Sequence, residues 1–291
     1  NGDSVNTLAN PEARTTSARE VAASNVSDAD LLAAASDAEV VIFVGGISPR
    51  LEGEEMRVNF DGFRGGDRTS IELPEAQRRL LKALHEKGKK VVFVNCSGSA
   101  MALAPETEYC DAIVQAWYGG EEGGTALAQV LFGEVNPSGK LPVTFYKNTD
   151  QLPDYEDYLM KNRTYRYMQD RPLFPFGYGL SYSDFQISGA KYSKDKITLS
   201  VTNKGKMDGD EVVQVYLRRV GDNEGPSKTL RAFKRVSVKA GKTVSVTIPF
   251  PRERFEWWDP YNNTMRVYTG QFELMVGNSS DAQVVQTVKI K

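Results

Sequence analysis

The sequence predicts an α/β unit built on a mostly parallel sheet, followed by an all-β sandwich. Three observations carry this expectation. Apolar runs that end in glycine or small polar residues alternate with helical stretches up to about residue 133. Pro, Tyr and Gly then crowd a stretch without helical period, and beyond it apolar and polar residues alternate with a period of two between turn signals. Buried strands of a parallel sheet read as continuous apolar runs, whereas half-exposed antiparallel strands alternate.

Taken in order, SDADLLAAASDA predicts a helix capped by Ser27 or Asp28. AEVVIFVGG (38–46) reads as a strand buried on both faces. LPEAQRRLLKALHEKGKK reads as a helix, with Pro74 in the first turn, an apolar stripe at Leu80, Leu81 and Leu84, and Gly88 just past the end. KVVFVNCSG (90–98) is a second buried strand, residues 99–104 read as helical, DAIVQAWYGG (111–120) is a third strand, and GGTALAQVLFG (123–133) a small-residue helix. Strand–helix alternation of this kind implies a parallel sheet covered by helices. Ligands of such sheets sit beyond the carboxyl ends of the strands, so the loops after Gly45, Asn95 and Trp117 are candidate site walls. Residues 1–150 are thus read as one α/β domain and 151–184 as an ordered aromatic strap packed on it. The segments ISGAKYS, KITLSVTNKG, EVVQVYLRR, KTLRAFKRVSVKAGKTVSVTIPF and GQFELMVGNSS make residues 185–291 a sandwich of immunoglobulin or fibronectin III type.

Composition narrows the functional classes. The 291 residues suffice for two domains with their own cores. A net charge of -2 offers no basic footprint for nucleic acid, and no apolar stretch is long enough for a membrane span. One histidine, His85 on a charged helical stretch, and two cysteines do not supply a conventional zinc site. Cys96 and Cys110 border apolar runs and read as buried thiols, with a disulfide between them left open. The start NGDSVNTL has neither Met nor an apolar leader, which points to a boundary made by processing or truncation. Asn25, Asn162, Asn262 and Asn278 lie in Asn-x-Ser/Thr sites, which matter only in a eukaryotic secretory host.

The segment most charged with chemistry is GGISPRLEGEEMRVNFDGFRGGDRTSIELP (45–74), too long for an ordinary strand-to-helix connection. It gathers Glu52, Glu54 and Glu55 between glycines, followed by Asp67 and Arg68. Clustered carboxylates raise one another's pKa and a nearby arginine lowers it, so one carboxyl can stay protonated as a general acid beside ionised neighbours. An acidic surface loop is the plainer reading of the same composition. Glu121 and Glu122 in YGGEEGG are read as carboxylates at a helix N-terminus. GEVNPSGK lacks the spacing of a phosphate loop. Trp257 and Trp258 in FEWWDPYNNT are expected on opposite faces of a strand, one inside and one outside.

LEGEE, then GGDR, then IELPEAQ resembles the acid/base loop of family 3 glycoside hydrolases. AWYGGEEGGTALAQVLFGEVNPSGKLPVTF (116–145), PLFPFGYGLSY (172–182) and VTNKGKMDGDEVVQVYL continue that resemblance in register. It covers almost the whole chain from residue 38, and VNPSGKLPVTF and FPFGYGLSY are its most diagnostic parts. The long form of the loop, with LEGEEM and GFRGGDR, resembles bacterial xylan 1,4-β-xylosidases of that family, with β-glucosidases close by.

The resemblance implies an exo-acting retaining mechanism in which one carboxylate attacks the anomeric carbon while another protonates the departing oxygen and then activates water. In the family the nucleophile is an aspartate of an N-terminal (β/α)8 barrel, which nothing before residue 38 could hold, and the acid/base is a glutamate of the next domain. Glu54 best matches that glutamate, with Glu52 and Glu55 as alternatives, because twelve residues (Glu55–Gly66) separate Glu54 from Asp67. Asp67 and Arg68 are expected to brace the loop, or else to touch sugar, and Phe60 and Phe63 to line the sugar pocket or anchor the loop. The implied partners are an oligosaccharide or an aryl or alkyl glycoside, releasing xylose ahead of glucose, and the barrel of the same protein. No cofactor, metal, nucleic acid or membrane is expected; a homodimer is left open, and the setting is periplasmic or secreted. A non-catalytic carbohydrate-binding or scaffold role is the reading from another class.

Overall fold

The computed structural model describes residues 27–52, 58–65 and 67–291. They fall into two compact units, one made of the residues up to Leu127 with Phe145–Leu152, the other of Ala128–Thr144 with Pro153–Lys291.

The first unit opens with helix α1 (Asp28–Ala34), started by a reciprocal capping box in which Ser27 and Asp30 each bond the other's backbone. Strand β1 (Val40–Gly46) follows, then a single turn of helix α2 (Pro49–Glu52) and three two-residue strands, β2 (Asn59–Phe60), β3 (Phe63–Arg64) and β4 (Asp67–Arg68), which pair antiparallel in that order. Helix α3 (Glu75–Glu86) buries Leu80, Leu81 and Leu84, and Gly88 beyond its end takes a φ of +72°. Strand β5 (Lys90–Cys96), helix α4 (Glu106–Tyr109), strand β6 (Ala112–Gln115) and the first half of helix α5 (Gly123–Leu131), which runs on into the second unit at Ala128, complete the series.

The sheet is parallel, in the order β1-β5-β6, with Phe43 opposite Phe93 and Val94 opposite Val114. Its three strands show the parallel pattern that the sequence announces, on a smaller scale. Helix α3 packs on β5 and β1, and Phe43, Phe93 and Val94 are buried, the two phenylalanines on one face of the sheet and Val94 on the other. Two expectations need correcting. The run at 38–46 is not buried on both faces: Val40 and Ile42, on the side away from Val41 and Phe43, are 50 % and 40 % exposed. Residues 99–104 are not helical either. Their apolar members Met101, Ala102 and Leu103 are buried in extended chain, where Ala102 N–H donates to Ile71 O (2.8 Å) and Ala102 bridges to Glu72.

The second unit contains a short helix α6 (Thr164–Tyr167) and then strands β7 (Phe185–Ser193), β8 (Lys196–Asn203), β9 (Gly209–Arg219), β10 (Thr229–Val238), β11 (Thr243–Pro249), β12 (Glu256–Asp259), β13 (Thr264–Val267), β14 (Gly270–Gly277) and β15 (Gln283–Ile290). Sheets β10-β9-β14-β15 and β11-β8-β7 form the antiparallel sandwich, and β12-β13 is a separate hairpin. Alternate residues face inward, as the period-two pattern requires, so Ile197, Val201, Val213, Val215, Leu217, Phe272 and Leu274 meet in one core. The aromatic stretch 153–184 shares this unit. Tyr165 stacks on Phe176 with ring centres 4.5 Å apart and meets Tyr216 edge-on. Gln214 Nε2 donates to Gly177 O (3.0 Å) and Asn278 O (2.7 Å).

Candidate active site

The three strand-end loops singled out by the sequence meet beyond the carboxyl edge of the parallel sheet. Strand β1 ends in Gly45 and Gly46, and Gly46 has a φ of +115°; a Cβ there would lie 2.1 Å from Cys96 O, so only glycine fits. Gln77 of α3 clamps this corner, accepting from Gly46 N–H (2.7 Å) and donating to Gly46 O (2.8 Å). Ile47 N–H then donates to Cys96 O (2.9 Å), tying the start of the long loop to the end of β5.

Behind that corner lies a buried amide network. Asn95 Nδ2 donates to Gln115 Oε1 (2.6 Å) and Ser97 Oγ (3.2 Å), and Gln115 Nε2 also donates to Ser97 Oγ (3.1 Å). Ser97 Oγ donates to Ser99 O (2.9 Å), so the network fixes where Ser99 sits. Trp117, just past β6, has a φ of +57° and turns the chain so that its ring meets Phe145 edge-on.

The front of the site is the small β2–β3–β4 sheet with α2. Arg68 donates from Nε to Ser70 O (3.1 Å) and from Nη1 to Ser99 Oγ (3.0 Å), and its guanidinium lies 5.8 Å over the Phe63 ring. The Ser99 hydroxyl in turn reaches Glu52 Oε1 at 3.4 Å. Arg68 Nη2 is buried with no hydrogen-bond partner among the described residues. Burial pulls the Arg68 guanidinium down, while the negative charges of Glu52 and Glu72 pull it back up. Tyr118 belongs to the same cluster: it is 41 % exposed, but partial burial, reinforced by Glu52, pushes its phenol up to about 12, although a bond with the Gly98 backbone works the other way. Glu72 lies nearby. Burial works against its carboxylate, but bonds from Ser70 and Thr149 outweigh that and hold the carboxyl below its ordinary range.

Two family models match the chain: "Glycosyl hydrolase family 3 C-terminal domain" over residues 4–182 and "Fibronectin type III-like domain" over residues 211–280. The chain belongs to glycosyl hydrolase family 3. Among its relatives, a xylan 1,4-beta-xylosidase of Xylanibacter ruminicola is 56 % identical over 262 residues, covering 88 % of this chain and 30 % of that protein. A periplasmic beta-glucosidase of Salmonella typhimurium is 37 % identical over 270 residues, covering 85 % of this chain and 34 % of the relative. The solved beta-glucosidase of Kluyveromyces marxianus superposes with a TM-score of 0.78 at 30 % identity, over 92 % of this chain and 34 % of that one. The family 3 chain described here therefore spans about a third of the length of these relatives.

Within this family 3 chain, Glu52 and Arg68 come together through Ser99, whereas Glu54 and Glu55 lie outside the described residues. Phe63 is buried, Phe60 pairs with it across the hairpin and is half-buried, and Asp67 is exposed opposite Arg64. Glu121 and Glu122 are exposed just before α5. His85 is exposed with its ring tilted against Tyr109, and both cysteines are free. Among the described residues no group of three His, Cys, Asp or Glu side chains is placed to hold a metal. The sequence assigns no role to Ser99 or Tyr118, although both lie in the loops marked as site walls, and Gln77 stands in the IELPEAQ segment with no role attached to it.

Proposed function

We propose that this chain is the C-terminal portion of an exo-acting retaining β-glycosidase, a xylan 1,4-β-xylosidase, and that it supplies the general acid/base. The observation that carries the reading is the 56 % identity to a protein named xylan 1,4-beta-xylosidase, extending over 88 % of the chain. The acid/base is Glu54, with Glu52 and Glu55 as its neighbours on the same loop. In this reading the carboxyl donates its proton to the departing glycosidic oxygen and, as a carboxylate, then takes one from the attacking water. The nucleophile is an aspartate on an N-terminal (β/α)8 barrel of the same polypeptide. Arg68 and Asp67 brace the loop, Arg68 through Ser99 and Ser70, with Phe63 packed beneath the guanidinium and Phe60 beside it. A periplasmic or secreted setting belongs to the same reading, supported by the periplasmic naming of the Salmonella relative.

In the complete polypeptide, Glu54→Gln is expected to slow hydrolysis of xylobiose by roughly 10²–10⁴-fold, the usual reach of general acid catalysis. An aryl xyloside with a good leaving group needs little protonation and is expected to lose much less in glycosylation. Wild-type turnover of xylobiose in Glu54→Gln would remove Glu54 from the role. The same loss in Glu52→Gln or Glu55→Gln instead would move the role there. The second reading, a β-glucosidase, is favoured by the naming of the Salmonella and Kluyveromyces relatives. The ratio of kcat/KM for aryl β-xyloside and aryl β-glucoside separates the two.

A further inference from the structure

The sandwich unit carries a pocket of about 530 Å³ far along the chain from the glutamate loop. Three arginines, Arg166, Arg219 and Arg231, line it together with Trp258, Met265 and Tyr268. Arg219 is accounted for, because its guanidinium lies 4.0 Å over the Tyr268 ring and 3.7 Å from the Asp222 carboxylate. The other two are not. Arg231 lies 4.1 Å over Trp257 and donates from Nη2 to Glu256 O (2.7 Å), but its Nε is buried without a partner among the described residues. Arg166 lies over the Tyr167 ring at 5.5 Å; its Nε is likewise buried and unpartnered, and it has no ion pair among the described residues.

Two half-buried guanidiniums in one pocket repel each other. Burial, with the Arg166 charge adding to it, pulls Arg231 down to about 10. Such a pair is relieved by an anion, and a planar carboxylate matches the guanidinium fork better than a point charge does. Among the described acidic residues at hand, Asp222 is taken by Arg219, Glu224 is exposed at the rim, and Glu256, whose charge partly offsets the loss at Arg231, forms no ion pair with either arginine. Beside the arginines, the β12–β13 hairpin sets Trp258 opposite Met265, and both are about half exposed. A flat indole face next to an anion site fits a sugar ring that carries a carboxylate.

We propose that this pocket binds a saccharide through a uronosyl residue, with the carboxylate held by Arg166 and Arg231 and the sugar ring laid against Trp258. The site is lined by residues of the sandwich unit alone, and the proposal does not depend on which residue protonates the leaving group. The test is calorimetric titration of the full-length protein, its Arg166→Gln variant and its Trp258→Ala variant. The probes are a xylotriose bearing one glucuronosyl branch, unbranched xylotriose, and sulfate. The expected result is a saturable event for the branched sugar that weakens at least tenfold in Arg166→Gln and several-fold in Trp258→Ala. Unbranched xylotriose should titrate alike in all three proteins. Identical titration of the branched sugar in wild type and both variants would overturn the proposal. So would sulfate displacing it as readily from wild type as from Trp258→Ala, which would mark a plain anion site. Trp258 is exposed, so its variant tests the pocket even if Arg166→Gln fails to fold.

Discussion

Gln77 and Gly46 are joined by two hydrogen bonds, one in each direction, between a side-chain amide on helix α3 and the backbone at the end of β1. Gly46 cannot change without collision, and Gln77 is what satisfies both of its backbone groups. Replacing Gln77 by Ala strands a donor and an acceptor where the glutamate loop begins. The expected cost is about 1–3 kcal/mol, the penalty for unsatisfied, part-buried polar groups. A urea midpoint measures it. Because the loop carries the proposed acid, kcat/KM of the complete enzyme should fall by ~10²-fold if the carboxyl moves by an ångström. An unchanged midpoint and unchanged turnover would mean that the clamp does neither job.

The ion pair between Arg78 and Glu106 lies deeper. Glu106 is fully buried and receives Nε at 2.6 Å and Nη2 at 3.2 Å, while Nη2 also reaches Ala102 O. This fork fastens α3 to α4, and the bond to Ala102 O ties it to the extended stretch at 99–104 as well. Removing one partner leaves an uncompensated charge, so Glu106→Ala should destabilise the α/β unit by roughly 3–5 kcal/mol. The double variant Arg78→Met with Glu106→Leu should recover much of that loss, because a well-packed apolar pair can replace a buried ion pair. Urea unfolding of the three proteins checks the order.

Adjacent tryptophans on one short strand should differ sharply. Trp257 is 7 % exposed, packs against Phe272 at 5.4 Å between ring centres and carries Arg231 on its face, whereas Trp258 points outward. Trp257→Ala is expected to cost about 3–5 kcal/mol through the cavity it leaves. Trp258→Ala should stay within about 0.5 kcal/mol, as surface changes do. Thermal unfolding of the sandwich measures both.

That contrast was legible in the alternation of the strand, as were the Leu80, Leu81 and Leu84 stripe, the Ser27 cap and the turn at Gly88. These are local signals, set by residues within one turn of each other. The stretch at 99–104 was not legible, because Met101, Ala102 and Leu103 look alike in a helix and in buried extended chain. Pairing with Ile71 and Glu72, some thirty residues away, decides for the latter. Val40 and Ile42 misled for a related reason: apolar residues on the uncovered face erase the alternation that would reveal it. At the site, the charge pattern and the resemblance of 45–74 single out Glu54, with Glu52 and Glu55 as alternatives, beside Asp67 and Arg68, but no spacing rule joins Arg68 to Ser99 across thirty-one positions.

Alkaline stability gives the last test. Burial pushes the Cys110 thiol from an ordinary value near 9 up to about 12, with the negative charges of Glu106 and Asp111 adding to it, and Cys96 is raised by burial as well. Tyr118 rises from 10 to about 12 as well, but it is 41 % exposed, so solvent screening makes its share smaller than that of the thiols. In each case the folded protein keeps a proton that the unfolded chain releases at lower pH. Stability from these groups is therefore complete below pH 9 and is lost as pH climbs toward 12. The urea midpoint should fall across that window, from pH 9 for the thiols and from pH 10 for the phenol. Cys110→Ala should flatten the decline between pH 9 and 10, where the tyrosine does not yet titrate in the unfolded chain. Tyr118→Phe should act only above pH 10. A midpoint that falls equally steeply in wild type and Cys110→Ala from pH 9 to 10 would show that the thiol is not held protonated by its surroundings.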